Sequence, residues 1–203
     1  MSLIYLNVPF RNAGRDMNEN DRRVKKTKAL LKQSLAELLC EKDIKNITIK
    51  ELTDRVSISR NAFYTHYVDI YDLYDQMEQE LFSDINALLT GSPLDEYEAM
   101  LSTLLDYIQE HASIMRAFLC TEENYKFRIK LSSYFEQKFI EITLFEMNTS
   151  DCKDDWKYLI NYHSYGTISA ITMWIEDNFI YPKEKLLKMI MDIDAKSDCL
   201  YEE

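Results

Sequence analysis

Apolar residues recur at spacings of three and four along most of this 203-residue chain, which is the period of amphipathic helices. Ile49, Leu52 and Val56 form one such stripe. The hydroxyl of Thr48 can cap the helix that carries them, and Glu51 three residues later completes a capping box. The pattern therefore predicts a helix of two turns that begins at Ile49 and buries one face.

A second short helix is predicted after the interruption Ser57-Ile58-Ser59, with Ser59 as its cap. Its apolar side would carry Ala62, Phe63 and Tyr67. Its other side would carry Arg60, Asn61, Tyr64, Thr65 and His66. Two short helices joined by a tight turn are typical of a helix-turn-helix DNA reader, because the second helix enters the major groove, where Arg and Asn can bind purine edges.

The same periodicity predicts seven further helices, so that the fold is all-α with about nine helices. They run from Val24 to about Lys42, from the cap Asp69 to the stop at Gly91-Ser92-Pro93, from Pro93 to about Glu110, from the cap Ser113 to about Cys120, from Glu122 to about Met147, from Asp154 to Phe179, and onward from Pro182. The helix after Asp69 has about twenty residues, each of which adds about 1.5 Å. It is long enough to act as a lever between two parts of the molecule.

The chain divides into a small N-terminal unit and a larger C-terminal one. Residues 1–21 show no helical period and contain Pro9 and Gly14, so we expect a flexible extension there. Residues 22–68 would form a three-helix domain around the helix-turn-helix pair, and residues 69–203 a second helical domain. Only 3 Gly and 3 Pro occur in the whole length, which agrees with an all-α protein.

The charge is distributed unevenly between these units. The formal net charge is -11, yet the residues up to Val68 hold 13 Lys+Arg against 8 Asp+Glu, a net +5. The remainder holds 11 against 27, a net -16. Such an asymmetry indicates a basic reader joined to an acidic module, which also limits non-specific adhesion to nucleic acid.

Other chemical classes find little support in the residues. Cys40, Cys120, Cys152 and Cys199 lie far apart without a CxxC pair, so we expect neither zinc nor a disulfide framework, but reduced cytosolic thiols, with redox sensing as the alternative. No apolar run approaches the ~20 residues of a membrane span. No nucleophile–base pair, metal cluster or phosphate loop indicates an enzyme, and no cofactor is expected. The predicted location is the cytoplasm, without a membrane partner.

The order of residues from about Val24 to Leu81 resembles the DNA-binding domain of the TetR/AcrR family of transcriptional repressors. The resemblance rests on Thr-Ile-x-Glu-Leu from Thr48, Val-Ser-Ile-Ser-Arg from Val56, Ala-Phe-Tyr-x-His-Tyr from Ala62, and the later Asp69 and Leu73. The run from Phe63 to Tyr67 is the most specific part, because generic helix-turn-helix patterns are much weaker.

Three positions depart from the family pattern. Ser57 stands where the family usually has the turn glycine, and a serine with positive φ is expected to be strained by about 1 kcal/mol. Ala62 replaces a threonine, which removes one contact to phosphate or base. Ile70 replaces a lysine, which removes a phosphate-neutralising charge. We therefore expect DNA binding with altered contacts and lower affinity.

The resemblance implies that Tyr64 and His66 contact phosphate and that Thr48 supplies a hydroxyl at a helix start. Arg60 and Asn61 are the predicted base readers, suited to guanine and adenine. Thr65 is predicted either to be solvated or to contact the DNA backbone. The complete predicted DNA-binding set is Thr48, Ser59, Arg60, Asn61, Tyr64, Thr65, His66 and Lys26, the last from a basic cluster in the first helix.

Further along, Tyr165-Gly166, Ile171, Trp174 and Pro182 look like the C-terminal ligand-binding and dimerisation domain of one TetR/AcrR subgroup. The resemblance implies that the last two long helices pair with their copies in a second subunit. An apolar helix without a polar face agrees with this, since it must be covered on two sides. The predicted interface comprises Ile171, Trp174, Ile175, Leu187 and Ile190. The alternative is that Trp174 belongs to the core of one subunit.

Aromatic residues are concentrated in the helices that would enclose a ligand. The predicted pocket comprises Phe118, Tyr125, Tyr134, Tyr158, Tyr162 and Tyr165. Hydroxyls turned inward could line a cavity for an apolar or aromatic small molecule, the usual inducer class of this family. Tyr162 lies four residues before Gly166, in a lane of small residues that continues to Ala170.

The sequence thus predicts a homodimeric repressor that binds a pseudo-palindromic DNA operator and is released by an unknown small-molecule effector. One alternative is a regulator of the same fold that acts through protein contacts with weakened DNA binding. The other is an enzyme with a helical pocket.

Overall fold

The computed structural model describes residues 19–90, 97–121 and 125–197, and within these ranges it contains nine α-helices and no β-strand. The helices are α1 (Glu19–Glu41), α2 (Ile49–Arg55), α3 (Arg60–Tyr64), α4 (Ile70–Thr90), α5 (Tyr97–Glu110), α6 (Ala112–Leu119), α7 (Tyr125–Glu146), α8 (Asp154–Glu176) and α9 (Lys183–Ser197), with a short 3-10 helix at Ile44–Asn46. The all-α fold class predicted from the periodicity is confirmed.

The two short motif helices begin where their caps predict. Thr48 Oγ1 accepts the backbone N–H of Glu51 at 3.2 Å, and the Glu51 carboxylate accepts the N–H of Thr48 in return. Ser59 Oγ accepts the N–H of Ala62 at 3.1 Å. Each cap satisfies an amide that the first turn of a helix leaves without an internal partner.

Ser57 ends α2 in the left-handed conformation expected of it, with φ 54°. Its N–H bonds to the carbonyl of Asp54 at 3.2 Å, and the N–H of Ile58 bonds to the carbonyl of Thr53 at 3.0 Å. This pair of bonds is a Schellman motif, which prefers glycine at the position of Ser57.

Three helices enclose the N-terminal core. Leu31, Leu35 and Leu38 of α1 are fully buried, as are Leu52 of α2 and Phe63 of α3. Because α2 and α3 have only seven and five residues, they depend on this packing against α1 for stability.

Several boundaries differ from those predicted or fall outside the described ranges. α1 begins at Glu19 rather than Val24, so part of the segment expected to be flexible is helical, while residues 1–18 lie outside the described ranges. The connection before α2 contains the 3-10 helix. Ser113 does not cap α6, because it lies inside the helix and its Oγ accepts a bond from Gln33 Nε2 instead. The predicted helix starts at Pro93 and Glu122 also lie outside the described ranges.

Helix α4 leads from the N-terminal helices into the C-terminal ones. Asp69 caps it, since Asp69 Oδ1 accepts the N–H of Asp72 at 2.8 Å. Its buried stripe runs through Leu73, Met77, Leu81 and Ile85, and it packs on both α1 and α5. With 21 residues it is about 30 Å long.

Helices α7 and α8 pack against each other along much of their length. Near the connection between them, Trp156 and Ile160 form a small second core with residues of α7. Towards its C-terminus, α8 joins the main core through Ile168, Ile171 and Ile175. One face of α8 thus contributes to both cores.

Candidate nucleic-acid interface

The exposed surface of α3 carries the predicted base readers. Phe63 is fully buried and Tyr67 is 2% exposed, which fixes the rotation of α3 about its axis. Arg60, Asn61 and Tyr64 consequently lie on the solvent side, and Tyr64 is 56% exposed. The arrangement presents a guanidinium, an amide and a phenol together on one small convex face, groups that can hydrogen-bond base edges and phosphates.

The hydroxyls around this face differ in whether their O–H is free to donate a hydrogen bond to DNA. Thr48 and Ser59 use their oxygens as acceptors within the caps, so each O–H can still donate to a phosphate. Thr65 instead donates its O–H to the carbonyl of Ala62 at 2.7 Å. Binding of phosphate by Thr65 would therefore require this internal bond to break.

Two further predicted residues, His66 and Lys26, lie outside α3. His66 is half-buried, and its ring lies 6.4 Å from that of Tyr67. Lys26 is exposed on α1. Lys28, two residues later, places its ammonium 5.5 Å from the centre of the Tyr67 ring. This contact brings a basic residue of α1 next to Tyr67, which follows α3.

The first turn of α4 is acidic where a phosphate-binding helix start would be basic. The Asp72 carboxylate accepts the N–H of Val68 at 2.8 Å, and this bond, with a second from Gln76, lowers the pKa of Asp72. Side-chain carboxylates thus accept the hydrogen bonds of backbone N–H groups at this helix start, which a phosphate could otherwise accept.

Ile70, which stands where the family usually has a lysine, is only 6% exposed. Its side chain packs in the core, not on the surface that would face DNA. The departure therefore removes a positive charge from this surface and adds an apolar contact inside the domain.

The six predicted pocket residues do not converge on one cavity. Phe118 is fully buried and stacks on Tyr74 with ring centres 4.9 Å apart. Tyr134 is half-buried and donates its hydroxyl to Asn86. Tyr158 and Tyr162 are 79% and 73% exposed. Tyr125 and Tyr165 share a groove of about 410 Å³ between α7 and α8, together with Arg128. Tyr162 and Tyr165 line a second groove of about 510 Å³ between α8 and α9.

Most of the predicted dimer residues are core residues of the single chain. Ile171 and Ile175 are fully buried, and Trp174 and Ile190 are each 3% exposed; Leu187 is half-buried. Trp174 also donates its indole N–H to the carbonyl of Tyr181 at 2.7 Å. These side chains are already covered within one subunit, so they present little surface to a second one.

The opposite face of α8 carries the exposed apolar side chains instead. Tyr158, Tyr162 and Met173 lie on it, and Gly166 has nothing within 4 Å of where a Cβ would stand. A groove of about 510 Å³ runs between this face and α9 and is bordered by Met189 and Ile193. We call this set of residues the α8–α9 face.

A buried polar cluster beneath this face was not anticipated. Asp194 accepts a bond from the hydroxyl of Tyr97 at 3.0 Å, and its other oxygen lies 3.2 Å from His163 Nδ1. Burial, followed by the charge of Asp194, raises the pKa of Tyr97 well above its ordinary value. The three residues are far apart in the chain, and only helix packing unites α5, α8 and α9 here.

Two of the thiols, Cys40 and Cys120, lie in surroundings that disfavour the reactive thiolate. Burial raises the pKa of Cys40 despite the nearby Arg116, and raises that of Cys120 to about 11. Cys199 lies outside the described residues. In those same ranges no three His, Cys, Asp or Glu side chains are grouped as a metal site would need. None of the helices described is long and apolar enough to cross a bilayer.

Residues 95–193 match a family model named TetR_C_8, described as "Transcriptional regulator C-terminal region". A curated relative, the uncharacterized HTH-type transcriptional regulator YxbF of Bacillus subtilis (strain 168), is 21% identical over 172 residues. The match covers 81% of this chain and 44% of that protein, so the chain spans less than half the length of that relative.

Solved structures provide a comparison of the fold. A TetR transcriptional regulator from Streptococcus agalactiae 2603V superposes with a TM-score of 0.59 at 21% identity, over 86% of this chain and 96% of that one. NalD, the secondary repressor of the MexAB-OprM multidrug efflux pump in Pseudomonas aeruginosa, superposes with a TM-score of 0.54 at 16% identity, over 84% and 94%. At these identities the superpositions show a shared fold.

Proposed function

We infer that the chain belongs to the TetR/AcrR family of transcriptional regulators, and we propose that it represses transcription as a homodimer bound to a pseudo-palindromic DNA operator. A small molecule bound by the C-terminal helices would release it. The site of action is the cytoplasm.

The observation that carries the proposal is the face of α3. Arg60, Asn61 and Tyr64 are exposed there on a helix that Ser59 caps and Phe63 anchors. We propose that this helix enters the major groove, with Arg60 and Asn61 at base edges and Tyr64, His66, Thr48 and Ser59 at phosphates. The net charge of +5 up to Val68 supports an approach to DNA by this end of the molecule.

The dimer contact is proposed for the α8–α9 face. Tyr162, Met173, Met189 and Ile193 are apolar or aromatic and between 38% and 73% exposed, and Gly166 leaves room for a second helix to approach closely. Self-association of one face with its copy is the commonest arrangement of dimers. In this arrangement α8 still meets a partner helix, but through exposed side chains such as Tyr162 and Met173 in place of the buried Ile171 and Trp174.

Release would follow from a change in the separation of the two readers. In a dimer the two α3 helices must match half-sites separated by roughly 34–36 Å per helical turn, or multiples of it. An effector that shifts α4 relative to α5 would disturb this match and disfavour the bound state. The groove that contains Tyr125 and Tyr165 is one place in the C-terminal helices where an apolar or aromatic molecule could bind.

Selection of bound sequences from a random duplex pool, with affinity followed across salt, tests the proposal. An inverted repeat and a steep loss of affinity with rising salt are expected. Tyr64→Ala and His66→Ala should then weaken binding without loss of the dimer. Phe145→Ala, which removes an exposed aromatic side chain of α7, is the matched control and should bind like the wild type.

A specific observation favours the alternative, in which the protein acts through protein contacts. The acidic start of α4, with Asp69 and Asp72 holding its amides, lowers the attraction of this surface for phosphate. A folded dimer that fails to bind any duplex at low salt would establish this alternative and exclude the repressor.

A further inference from the structure

Helix α6 lies between the DNA reader and the proposed dimer helix. It packs on α1 and on α8, and α1 makes its most extensive helix contact with α6. Gln33 of α1 donates from Nε2 to Ser113 Oγ of α6 at 3.0 Å. Met115, Phe118 and Leu119 of α6 are each at most 1% exposed. A helix enclosed to this degree cannot shift without moving the helices packed on it, because protein interiors are close-packed.

Arg116 connects this helix to the end of α8. Its Nη2 donates to the backbone carbonyl of Ile175 and, at 3.0 Å, to Oδ1 of Asn178. The C-terminal end of a helix carries partial negative charge and carbonyls without helical partners, so a guanidinium is well suited to bind there. One side chain of α6 therefore binds both the last turn of α8 and the residue that ends it.

The turn that Arg116 binds is itself firmly held. Asn178 and Phe179 both have positive φ, 53° and 61°. The N–H of Phe179 bonds to the carbonyl of Trp174 at 2.9 Å, and the rings of these two residues pack edge to face with centres 4.8 Å apart. Because the turn is fixed to α8 by these contacts, the bonds from Arg116 fix α6 relative to α8.

The contact between α1 and α4 is less extensive than that between α1 and α6. Lys32 of α1 pairs with Glu80 of α4, but Glu80 has a 56% exposed side chain, and exposed ion pairs contribute little. A groove of about 500 Å³ lies where α1 faces α4, α5 and α6. The position of α1 relative to the C-terminal helices therefore depends on α6 at least as much as on α4.

We infer that Arg116 is a positioning residue for operator recognition, which fixes the orientation of the α1–α3 reader relative to α8 by joining α6 to the end of that helix. The inference rests on the proposed function, since it concerns the distance between two readers in a DNA-bound dimer. It assigns a role to a residue that touches neither DNA nor the α8–α9 face.

The test uses the inverted repeat that the wild type selects. Affinity is measured on duplexes with the preferred spacing between half-sites and with spacings one and two base pairs longer. For Arg116→Ala we expect the discrimination between spacings to fall about fivefold or more, the lower end of typical couplings between sites. Affinity for a single half-site should not change, because the α3 surface is intact.

Two further variants separate positioning from general loss of structure. Arg116→Lys should restore part of the discrimination, since an ammonium can bind the Ile175 carbonyl without the planar geometry that serves two acceptors. Asn178→Gly removes the side-chain acceptor while its positive φ suits glycine, so the turn persists and an intermediate loss is expected. This variant tests the inference even if Arg116→Ala does not fold.

Lys183→Ala is the matched control. Lys183 of α9 binds Asp106 at 2.6 Å and Ser102 at 3.3 Å, both on α5, so the variant removes a comparable cation without affecting the link between α6 and α8. It should keep the wild-type discrimination. Wild-type discrimination in folded Asn178→Gly and Arg116→Lys, or an equal loss in Lys183→Ala, would overturn the role of Arg116 alone. A wild type that selects no inverted repeat would overturn the proposed function as well.

Discussion

Several helices of this protein end at a residue with positive φ that is not glycine. Ser57, Asn148 and Asn178 all adopt positive φ at helix ends, where glycine is the common choice. Asparagine enters the left-handed region more readily than serine does. Strain of this kind is therefore expected to be largest at Ser57, inside the DNA-reading motif.

Ser57→Gly should stabilise the protein by about 1 kcal/mol, because glycine adopts the φ of 54° without the clash that Cβ makes. Asn148→Gly, at φ 48°, is the control and should gain less. Chemical unfolding at a fixed protein concentration measures both changes. An equal gain in the two variants, or a loss at Ser57, would show that the serine is not strained.

Tyr67 carries a hydroxyl that is buried without a hydrogen-bond partner among the described residues. Tyr67→Phe removes this group and should stabilise the protein by about 1–2 kcal/mol, the typical cost of a buried unsatisfied polar atom. Tyr125→Phe is the control, because Tyr125 is 62% exposed and its change should be near zero.

The same variant has a signature at high pH. Burial, with Glu80 and Asp72 nearby, raises the pKa of Tyr67 from its ordinary value of 10 to about 12. The stability of the wild type is therefore unaffected by this ionisation below pH 10 and falls as the pH rises towards 12, because the tyrosine of the unfolded chain ionises first. In Tyr67→Phe the stability should fall less steeply over this interval, whereas an unchanged slope would contradict the assignment.

At the scale of a helix, α3 is too short to persist without its cap. Ser59 Oγ holds the N–H of Ala62 at 3.1 Å, and loss of such a cap costs about 1 kcal/mol. The same oxygen is proposed to face a phosphate, so its two roles can be separated by substitution.

Ser59→Ala should lower the free energy of unfolding by about 1 kcal/mol, whereas Ser59→Asp should retain stability because aspartate caps equally well. Both variants are expected to bind the operator less tightly, the alanine through a frayed α3 and the aspartate through repulsion of phosphate. Unfolding curves and operator titrations measure the two effects. Wild-type affinity of Ser59→Asp would place the start of α3 away from the DNA backbone.

At the scale of the whole molecule, the proposed dimer depends on close approach of two α8 helices. Gly166→Leu adds a side chain where the single chain has open space, so the subunit should fold at least as stably, since leucine favours helix over glycine by about 1 kcal/mol. Sedimentation should show a shift from dimer to monomer. The control Ala99→Leu, at an exposed position of α5, should remain dimeric.

A dimer that is unaffected by Gly166→Leu would exclude the α8–α9 face as the contact. Gly166→Leu should also change DNA binding. A monomer binds one half-site, so Gly166→Leu should lose the affinity that comes from simultaneous binding of two half-sites while the face of α3 remains intact.

The sequence by itself determined the features that depend on near neighbours in the chain. The caps Thr48, Ser59 and Asp69, the left-handed Ser57 and the helical periods all arise from groups a few residues apart, so their geometry could be predicted. The buried side of α3 could also be predicted from the sequence, because only one orientation of an amphipathic helix buries its apolar side.

Only the tertiary structure decided which side of α8 faces the core, because a helix that is apolar nearly all round has no preferred orientation of its own. Trp174, predicted to contact a second subunit, lies in the core of one subunit, and the tyrosines expected in one pocket lie on different surfaces. The cluster of Tyr97, His163 and Asp194, and the link from Arg116 to Asn178, unite residues from distant helices. Such contacts arise from the packing of whole helices, which no local pattern specifies.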